Sequence, residues 1–275
     1  MKKTLTILAF VFLSGIHATL AEISKTSDLV PIELAIKQAD SETLVIFDVD
    51  DVLITARDQI LQAAHKKFLE GLNKGLESRL SEEEAQKLWG IIWLARSDEP
   101  VDPKMVSLIK EAQSKGLKVM ALTNAWTGPF GVIPSLQDWR IEELEDFGYV
   151  FKDSWKTLKA KTFEALKSKD PERFPVFKEG VVFTCNLPKG EVLKALLDYA
   201  NLSPKKIIFV DDKEKNLKSV EAFAREVKIP FIGFQYTAVV DRPKSLLNEK
   251  RAQLQFEVLE KEHKWLSDEE ADKQR

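Results

Sequence analysis

The chain has 275 residues, of which 44% are hydrophobic and 31% are charged, as in an ordinary globular protein. This length allows one core of the α/β size class with room for an inserted subdomain. The formal net charge is −3, because 41 Lys and Arg residues are set against 44 Asp and Glu residues. There is no basic surplus that would indicate a nucleic-acid partner.

The first residues have the pattern of a secretory signal peptide. Two lysines precede an apolar run over residues 5–16, and small residues stand at the −3 and −1 positions of a cleavage site before Glu22. The run is shorter than the ~20 residues of a membrane span, which disfavours the alternative of an uncleaved anchor. We therefore predict that residues 1–21 are a signal peptide, that the protein is periplasmic or secreted, and that no span remains after cleavage. Cys185, the only cysteine, is predicted to be a core residue.

Beyond the signal peptide, apolar runs alternate with amphipathic helical segments. Residues 22–41 are predicted to be a lead-in with one short helix from Pro31 to Gln38, residues 98–101 a linker, and the Lys-rich segment 156–169 a helix. Five apolar runs predict buried strands of a parallel sheet: residues 44–47, 118–122, 180–184, 206–210 and 231–234. Strands that alternate with helices predict a three-layer α/β fold.

Two amphipathic helices are predicted within residues 58–98. In the first, apolar residues recur every three or four positions, and Ser81 with Glu84 forms a capping-box pattern at the start of the second. The chain after Pro243 is highly charged and predicts a long helix, with an end exposed to solvent after Ser267.

Three of the predicted strands end in polar residues. These are Asp48 and Asp50 after the first strand, Thr123 and Asn124 after the second, and Asp211 and Asp212 after the fourth; Lys189 stands at the start of the helix before the fourth strand. The carboxyl ends of parallel strands meet at one edge of a sheet, so these side chains are expected to converge. Two carboxylates held side by side repel, share a proton or bind a hard cation such as Mg²⁺.

In this order, the motifs resemble those of the haloacid dehalogenase (HAD) superfamily. They are Asp48-Val49-Asp50-Asp51-Val52, Leu122-Thr123-Asn124, Lys189-Gly190 and Val210-Asp211-Asp212-Lys213-Glu214-Lys215-Asn216-Leu217. The resemblance covers about residues 44–235. It implies a HAD-like, Rossmann-like parallel sheet whose core comprises residues 22–57 and 99–242. It also implies a small helical cap over residues 58–98. The charged helical tail predicted above from the sequence pattern then spans residues 243–275.

The same resemblance implies a phosphatase, that is, a Mg²⁺-dependent phosphomonoester hydrolase with a small phosphorylated substrate. Asp48 would be the nucleophile that forms an aspartyl-phosphate. Asp50 would protonate the leaving oxygen and then activate water. Thr123 and Asn124 would bind the phosphoryl group, and Lys189 would neutralise its developing charge.

The metal ligands implied by the resemblance are carboxylates and one carbonyl oxygen. Asp48, Asp212 and the backbone carbonyl of Asp50 would hold Mg²⁺. Asp211 would support these ligands without binding the metal itself. Sequence alone leaves open whether Asp211 or Asp212 ligates the metal.

Three alternatives remain open. The chain could be a phosphomutase or another phosphotransferase of the same superfamily, or a non-catalytic exported binding protein on the same fold. The predicted cap helices could instead merely extend the core. If they form a cap, Lys66, Lys67, Arg96 or the exposed edge of the Trp89 and Trp93 pair is predicted to help select the leaving group.

Overall fold

A computed structural model describes residues 21–243 and 245–274 of the chain. The predicted signal peptide, except for Ala21, lies outside the described residues. Within the described part of the chain, no helix combines the length and the apolar character that crossing a membrane requires.

The described residues form ten strands and nine α-helices. The strands are β1 (Ala21–Thr26), β2 (Thr43–Phe47), β3 (Ile54–Ala56), β4 (Asp98–Pro100), β5 (Lys118–Thr123), β6 (Lys161–Thr162), β7 (Val176–Lys178), β8 (Val181–Phe183), β9 (Lys206–Asp211) and β10 (Phe231–Tyr236). The helices are α1 (Val30–Lys37), α2 (Lys66–Glu77), α3 (Glu82–Ala95), α4 (Lys104–Ser114), α5 (Leu136–Asp146), α6 (Lys189–Ala200), α7 (Glu214–Glu226), α8 (Glu249–Glu262) and α9 (Asp268–Lys273).

Eight strands form the central sheet in the order β1-β10-β9-β2-β5-β8-β7-β6. The six strands from β1 to β8 in this order are parallel, and β7 and β6 continue the sheet in antiparallel pairing. The other two strands, β3 and β4, form a separate antiparallel pair. The predicted three-layer α/β fold with a Rossmann-like parallel sheet is confirmed.

Successive side chains of the central strands point to opposite faces of the sheet, and helices cover both faces. Val45 and Phe47 of β2 pack with α1, α4 and α5. Leu44 and Ile46 of the same strand pack with α6 and α7 on the other face. All four side chains are fully buried, and burial of a side chain of this size contributes roughly 1.5–3 kcal/mol. This packing fixes the position at which β2 ends.

Two segments differ from the sequence-based prediction by containing strands. The lead-in has its predicted helix, α1, but also the edge strand β1, which pairs with β10. An edge strand needs few apolar residues because it pairs on one side only, so its pattern is weak. The predicted linker 98–101 contains β4, which pairs with β3.

The predicted helix over residues 156–169 is wrong. This segment is an irregular chain that contains only the two-residue strand β6. Its apolar residues Leu158, Phe163 and Leu166 are spaced by five and three positions, which does not make one helical stripe. They pack with Trp155 against the apolar layer of α6 and α7. Packing against the sheet therefore overrides the helical propensity of the lysines.

Helices α2 and α3 lie within residues 58–98, and α8 packs against them. Their shared apolar residues are Ile60, Leu76, Leu88, Ile92, Ala252, Phe256, Leu259 and Trp265. We call α2, α3 and α8 the helical cluster. The charged tail therefore contributes one apolar face to the same layer as the predicted cap helices.

The end after Ser267 is largely exposed, as predicted, but it is also anchored. Helix α9 begins there with a capping box, residues 269, 270 and 272–274 are exposed, and Ala271 is fully buried. Leu266, just before this end, is fully buried as well. Asp58, 2% exposed, accepts hydrogen bonds from Trp265 Nε1 at 2.8 Å and from the Asp268 backbone N–H at 2.9 Å. The tail end is thus fixed to the chain that enters α2.

Candidate active site

The carboxyl ends of three neighbouring strands supply the polar side chains of the candidate site. β2 lies between β9 and β5 and is parallel to both. Asp48 directly follows β2, while Thr123 and Asp211 are the last residues of β5 and β9. Since parallel strands end at the same edge, the sheet itself brings these three residues together, as the sequence predicted.

Lys189 connects two of these strand ends. Its side chain is completely buried, and its Nζ lies 2.8 Å from Asp48 Oδ1 and 2.6 Å from Asp211 Oδ2. The next residue, Gly190, lies directly against α7, because a Cβ there would lie 2.1 Å from the Ser219 carbonyl oxygen. Glycine therefore allows the start of α6 to sit deep enough for Lys189 to reach both carboxylates.

Asp211 and Asp212 have different environments. The carboxylate of Asp211 is fully buried and accepts hydrogen bonds from Lys189, from the Lys213 backbone N–H at 2.8 Å and from Asn216 Nδ2 at 2.9 and 3.1 Å. These bonds occupy both of its oxygens. Among the ion pairs of the described residues, the Asp212 carboxylate has one partner, the half-exposed side chain of Lys213, at 3.3 Å. Asp212 therefore has more free ligand capacity than Asp211.

The three carboxylates form a compact acidic cluster. Asp48, Asp211 and Asp212 each offer an oxygen, and these atoms all lie within 4.8 Å of one another. Burial, together with the charge of Asp211, raises the pKa of Asp48 to about 7, although Lys189 opposes this change. Burial also raises the pKa of Asp212 to about 6, against the effect of Lys213. The cluster thus carries more negative charge than its lysines neutralise, and this donor set fits a hard divalent cation with oxygen ligands.

The Asp50 carboxylate lies outside this acidic cluster. It is half-exposed, and its Oδ1 lies 3.3 Å from Nη2 of the buried residue Arg140. Burial alone would raise the pKa of Asp50, but the positive charges of Arg140, Arg96 and two lysines lower it below its usual value. Asp50 is therefore ionised in the free site: it is placed to accept a proton from a bound molecule, and it must take up a proton before it can donate one.

Thr123 and Asn124 are held by the turn that follows β8. Asn124 Oδ1 accepts a hydrogen bond from Thr184 Oγ1 at 3.0 Å, and its backbone carbonyl accepts one from the Asn186 N–H at 3.2 Å. Cys185 and Asn186 have φ values of 49° and 62°, a conformation that costs non-glycine residues about 1–3 kcal/mol and often occurs at functional sites. Sequence analysis missed Asn186, and no pattern in the chain identifies it.

A cavity of about 390 Å³ opens beside Asp50. Asn124 and Asn186 line it, together with the Trp93, Trp126 and Trp139 side chains. The sequence-based analysis named Trp93 but missed Trp126 and Trp139. Trp126 could have been found, because it follows Thr123 by three residues in the same loop.

Two arginines on the cavity wall belong to a charged network. Arg96 Nη2 lies 2.8 Å from Asp98 Oδ2 and 3.6 Å from Glu143 Oε1. Arg140 Nη1 lies 2.6 Å from Glu143 Oε2, and its other terminal nitrogen pairs with Asp50. The network therefore connects the end of α3 and the middle of α5 with the loop after β2.

Of the residues predicted to select the leaving group, Trp93 and Arg96 line this cavity. Trp89 lines a neighbouring cavity of about 580 Å³. Lys66 and Lys67 line neither, and Lys66 pairs with Glu70 on the exposed side of α2.

The chain has relatives in Rickettsia and Chlamydia. It is 24% identical over 246 residues to an uncharacterised protein of Rickettsia prowazekii (strain Madrid E), which covers 90% of this chain and 88% of that protein. It is 27% identical over 251 residues to a protein of Chlamydia pneumoniae named putative outer membrane protein, with coverage of 86% and 85%. A protein of the same name from Chlamydia trachomatis serovar D is 24% identical over 206 residues, with coverage of 72% and 70%.

Among solved structures, this chain is similar to a HAD family enzyme of Bacteroides thetaiotaomicron, an Asp-to-Ala mutant in complex with magnesium and inorganic phosphate. The likeness covers 69% of this chain and 92% of that chain at 16% identity, and its TM-score of 0.28 is too low to indicate function. A family model described as "Protein of unknown function (DUF2608)" matches residues 25–272. Since this match spans most of the sequence, the chain belongs to the DUF2608 family.

Proposed function

We propose that the chain is a Mg²⁺-dependent phosphomonoester hydrolase that acts through an aspartyl-phosphate on Asp48. The observation that carries the proposal is the buried Lys189 between the carboxylates of Asp48 and Asp211, with Asp212 beside them. A carboxylate held by a cation at a strand end, next to a half-exposed second carboxylate, suits phosphoryl transfer to Asp48.

In the first half-reaction, a carboxylate oxygen of Asp48 attacks the phosphorus atom. The bond between phosphorus and the ester oxygen breaks, and the leaving oxygen takes a proton from Asp50, which enters this step in its protonated form. In the second half-reaction, Asp50 takes a proton from a water molecule whose oxygen attacks the phosphorus. The bond to Asp48 then breaks, which releases inorganic phosphate and restores both carboxyl groups to their starting states.

The other residues hold charge and position. Lys189 would neutralise charge on the phosphoryl oxygens and keep Asp48 ionised, and Thr123 would donate a hydrogen bond to one of those oxygens. Asp48, Asp212 and the backbone carbonyl of Asp50 would hold Mg²⁺, which supplies charge screening between the phosphate and the nucleophile. Asp211, whose oxygens are already hydrogen-bonded, would position Lys189.

We further propose that the protein is exported. Two independent features support this: the signal-peptide pattern of residues 1–21 and the putative outer membrane protein names of the two chlamydial relatives. N-terminal sequencing of the protein from an extracytoplasmic fraction should begin at or near Glu22. A full-length protein retained in the cytosol would contradict export.

The activity is tested by phosphate release from glycerol 2-phosphate, with Mg²⁺ and with EDTA. We expect release with Mg²⁺, loss of release with EDTA, and a phosphorylated peptide that contains Asp48 after rapid acid quenching. Release that is insensitive to EDTA, or no release, would overturn the proposal. Transfer of the phosphoryl group to a second alcohol without phosphate release would identify a phosphotransferase instead.

A further inference from the structure

The cavity beside Asp50 is in the right place to receive the alcohol part of a phosphomonoester. Asp50, which would protonate the leaving oxygen, and Asn124, which follows Thr123, both line it. A leaving group that extends away from the phosphoryl group past Asp50 therefore enters this cavity. The side chains that line the cavity should therefore determine which alcohols bind best.

Four aromatic rings form a row, and three of them, those of Trp93, Trp126 and Trp139, line the cavity. The ring of Trp93 is stacked on Phe130, with centroids 4.5 Å apart, and is nearly parallel to Trp139, with centroids 6.1 Å apart. At the other end, the centroids of Trp126 and Phe130 are 5.9 Å apart. We call Trp93, Trp126, Phe130 and Trp139 the aromatic row. Trp126 is 40% exposed, and Trp93 and Trp126 line both this cavity and the neighbouring one.

The aromatic row is not simply part of the apolar core. Core tryptophans are enclosed, as Trp155 is, with its Nε1–H donated to the Val119 carbonyl oxygen. Trp126 instead combines an exposed ring with Arg173, whose guanidinium carbon lies 5.3 Å from the ring centroid. An exposed tryptophan fixed in this way offers a large flat surface at little cost in side-chain entropy.

The charges of the cavity argue against an anionic leaving group. Arg96 and Arg140 are its two lining cations, but they are matched by the carboxylates of Asp50, Asp98 and Glu143. The formal charge of this network is −1. A second anionic group on the substrate would therefore meet no surplus of positive charge.

The network offers a bound leaving group no further hydrogen bonds. Among the described residues, Nε of Arg96, Nε of Arg140 and Oδ1 of Asp98 lack a hydrogen-bond partner, but all three atoms are enclosed by protein. The cavity therefore gives a polar or charged leaving group no additional partner in this network.

We propose that the favoured substrates are phosphomonoesters of uncharged alcohols that carry a planar aromatic ring, and that this ring packs against the aromatic row at Trp126. This inference rests on the hydrolase activity proposed above. It adds the chemical class of the leaving group and assigns specificity to the loop after β5 as well as to α3 and α5.

The test compares substrates with leaving groups of similar reactivity. All are esters of primary alcohols: 2-phenylethyl phosphate, 2-cyclohexylethyl phosphate of similar size and polarity, and 3-phosphoglycerate, which carries a carboxylate. We expect kcat/KM for 2-phenylethyl phosphate to exceed that for the cyclohexyl ester by roughly 2- to 10-fold, from the extra attraction between aromatic rings. 3-Phosphoglycerate is expected to be the poorest of the three.

Substitutions at Trp126 locate the preference. Trp126→Leu keeps apolar bulk but removes the ring and should bring the ratio between the phenyl and cyclohexyl esters close to one. Trp126→Phe keeps a ring and should retain most of the preference. Tyr199→Leu removes a ring of similar exposure that lies outside both cavities and should leave the ratio unchanged. Inhibition by inorganic phosphate should be equal in all four proteins, because Trp126 does not contact the phosphoryl group.

Binding to the Asp48→Asn protein separates the two proposals. Calorimetric titration with the phenyl and cyclohexyl esters measures the ring preference without turnover. Hydrolysis of all three esters with no phenyl preference, or a preference that survives Trp126→Leu, would overturn the inference and leave the hydrolase intact. No hydrolysis by the unaltered protein would overturn the proposed function, and the titration would then decide the ring preference by itself.

Discussion

At the sheet edge, Lys189 and Asp211 are completely enclosed and their polar atoms are paired, whereas the cavity beside them keeps exposed ring surface at Trp126. The two regions meet at Asp50. The sheet edge is assembled from the ends of three strands that are neighbours in the sheet and from the start of one helix. The cavity is lined by α3, the loop after β5 and α5, represented by Trp93, Trp126 and Trp139.

Under the proposed function, this difference separates the residues that carry out phosphoryl transfer from those that select the substrate. Groups that must act on a phosphoryl group need fixed positions, and the buried lysine and backbone N–H groups provide them. Groups that discriminate among alcohols need surface that remains available to the ligand. The strongest tests of this division are therefore substitutions that affect one region and spare the other.

The largest effect is expected from the two aspartates of the first motif. Asp48→Asn should abolish turnover and covalent phosphorylation, because an amide is not a nucleophile for phosphorus. Asp50→Asn should reduce kcat about 10²–10⁴-fold, the usual contribution of a proton-transfer group. Asp153→Asn, at an exposed position in the turn before Trp155, is the matched control with no expected effect. Undiminished activity of Asp48→Asn would show that the chemistry occurs elsewhere.

The second largest effect is expected from Lys189→Met, which should lower the unfolding free energy. This substitution leaves Asp48 and Asp211 buried without the cation that they share. Breaking a buried ion pair in this way costs about 3–5 kcal/mol, and we expect a loss of unfolding free energy of about this size. Chemical denaturation measures the change. Lys194→Met is the matched control in the same helix, because Lys194 is half-exposed and pairs with Glu226 at the surface, so that about 0–1 kcal/mol is expected. Equal losses in the two variants would contradict the central position given to Lys189.

Mg²⁺ should stabilise the folded protein through Asp212. At an Mg²⁺ concentration of about 100 times Kd, binding to the folded state adds about 2.7 kcal/mol, which raises the Tm of a chain of this size by roughly 5–10 °C. Asp212→Asn should remove this increase, because Asp212 has the free ligand capacity that Asp211 lacks. Glu214→Gln, two residues away and paired with Lys218 at the surface, should retain it. A full Mg²⁺ effect in Asp212→Asn would exclude Asp212 as a ligand.

The sheet edge could be predicted from the sequence because each of its residues follows or precedes an easily recognised element. Asp48, Thr123 and Asp211 end apolar runs, and parallel pairing then determines that they meet. The depth of Lys189 could not be predicted, since it depends on the contact of Gly190 with α7. The parallel pairing of the strands thus predicts which strand-end residues meet, whereas the sequence around a single residue does not predict how deeply it is buried.

The cavity could be predicted only in part because its walls are created by packing. Arg96 and Glu143 meet only when α3 and α5 come together, and nothing in either helix specifies the other. The same limit applies to the tail. The sequence shows that α8 is amphipathic, but it does not show that Phe256 and Trp265 pack against α2 and α3. The divisions predicted for the core, the cap and the tail stay predictions, as does the role of each site residue.

The smallest effect is expected where the tail joins the helical cluster. Trp265→Phe keeps the ring that packs edge-on against Phe256 but removes the N–H that Asp58 accepts. The loss of a hydrogen bond to a buried carboxylate should cost about 1–3 kcal/mol of unfolding free energy. Phosphate release from glycerol 2-phosphate should be unchanged at temperatures where the variant is folded, because the sheet edge does not involve this contact.

The pH dependence of this loss identifies its cause. Burial raises the pKa of Asp58, while the Trp265 N–H and the Asp268 backbone N–H oppose the change. A raised folded-state pKa gives stability that is present at low pH and is lost as the pH rises through that pKa. Removing the indole N–H raises the pKa further, so the deficit of Trp265→Phe should be larger at about pH 7 than at about pH 4. In an Asp58→Asn background, the deficit should be small and independent of pH. A pH-independent deficit in the single variant would show that ring packing alone, not the buried carboxylate, holds the tail.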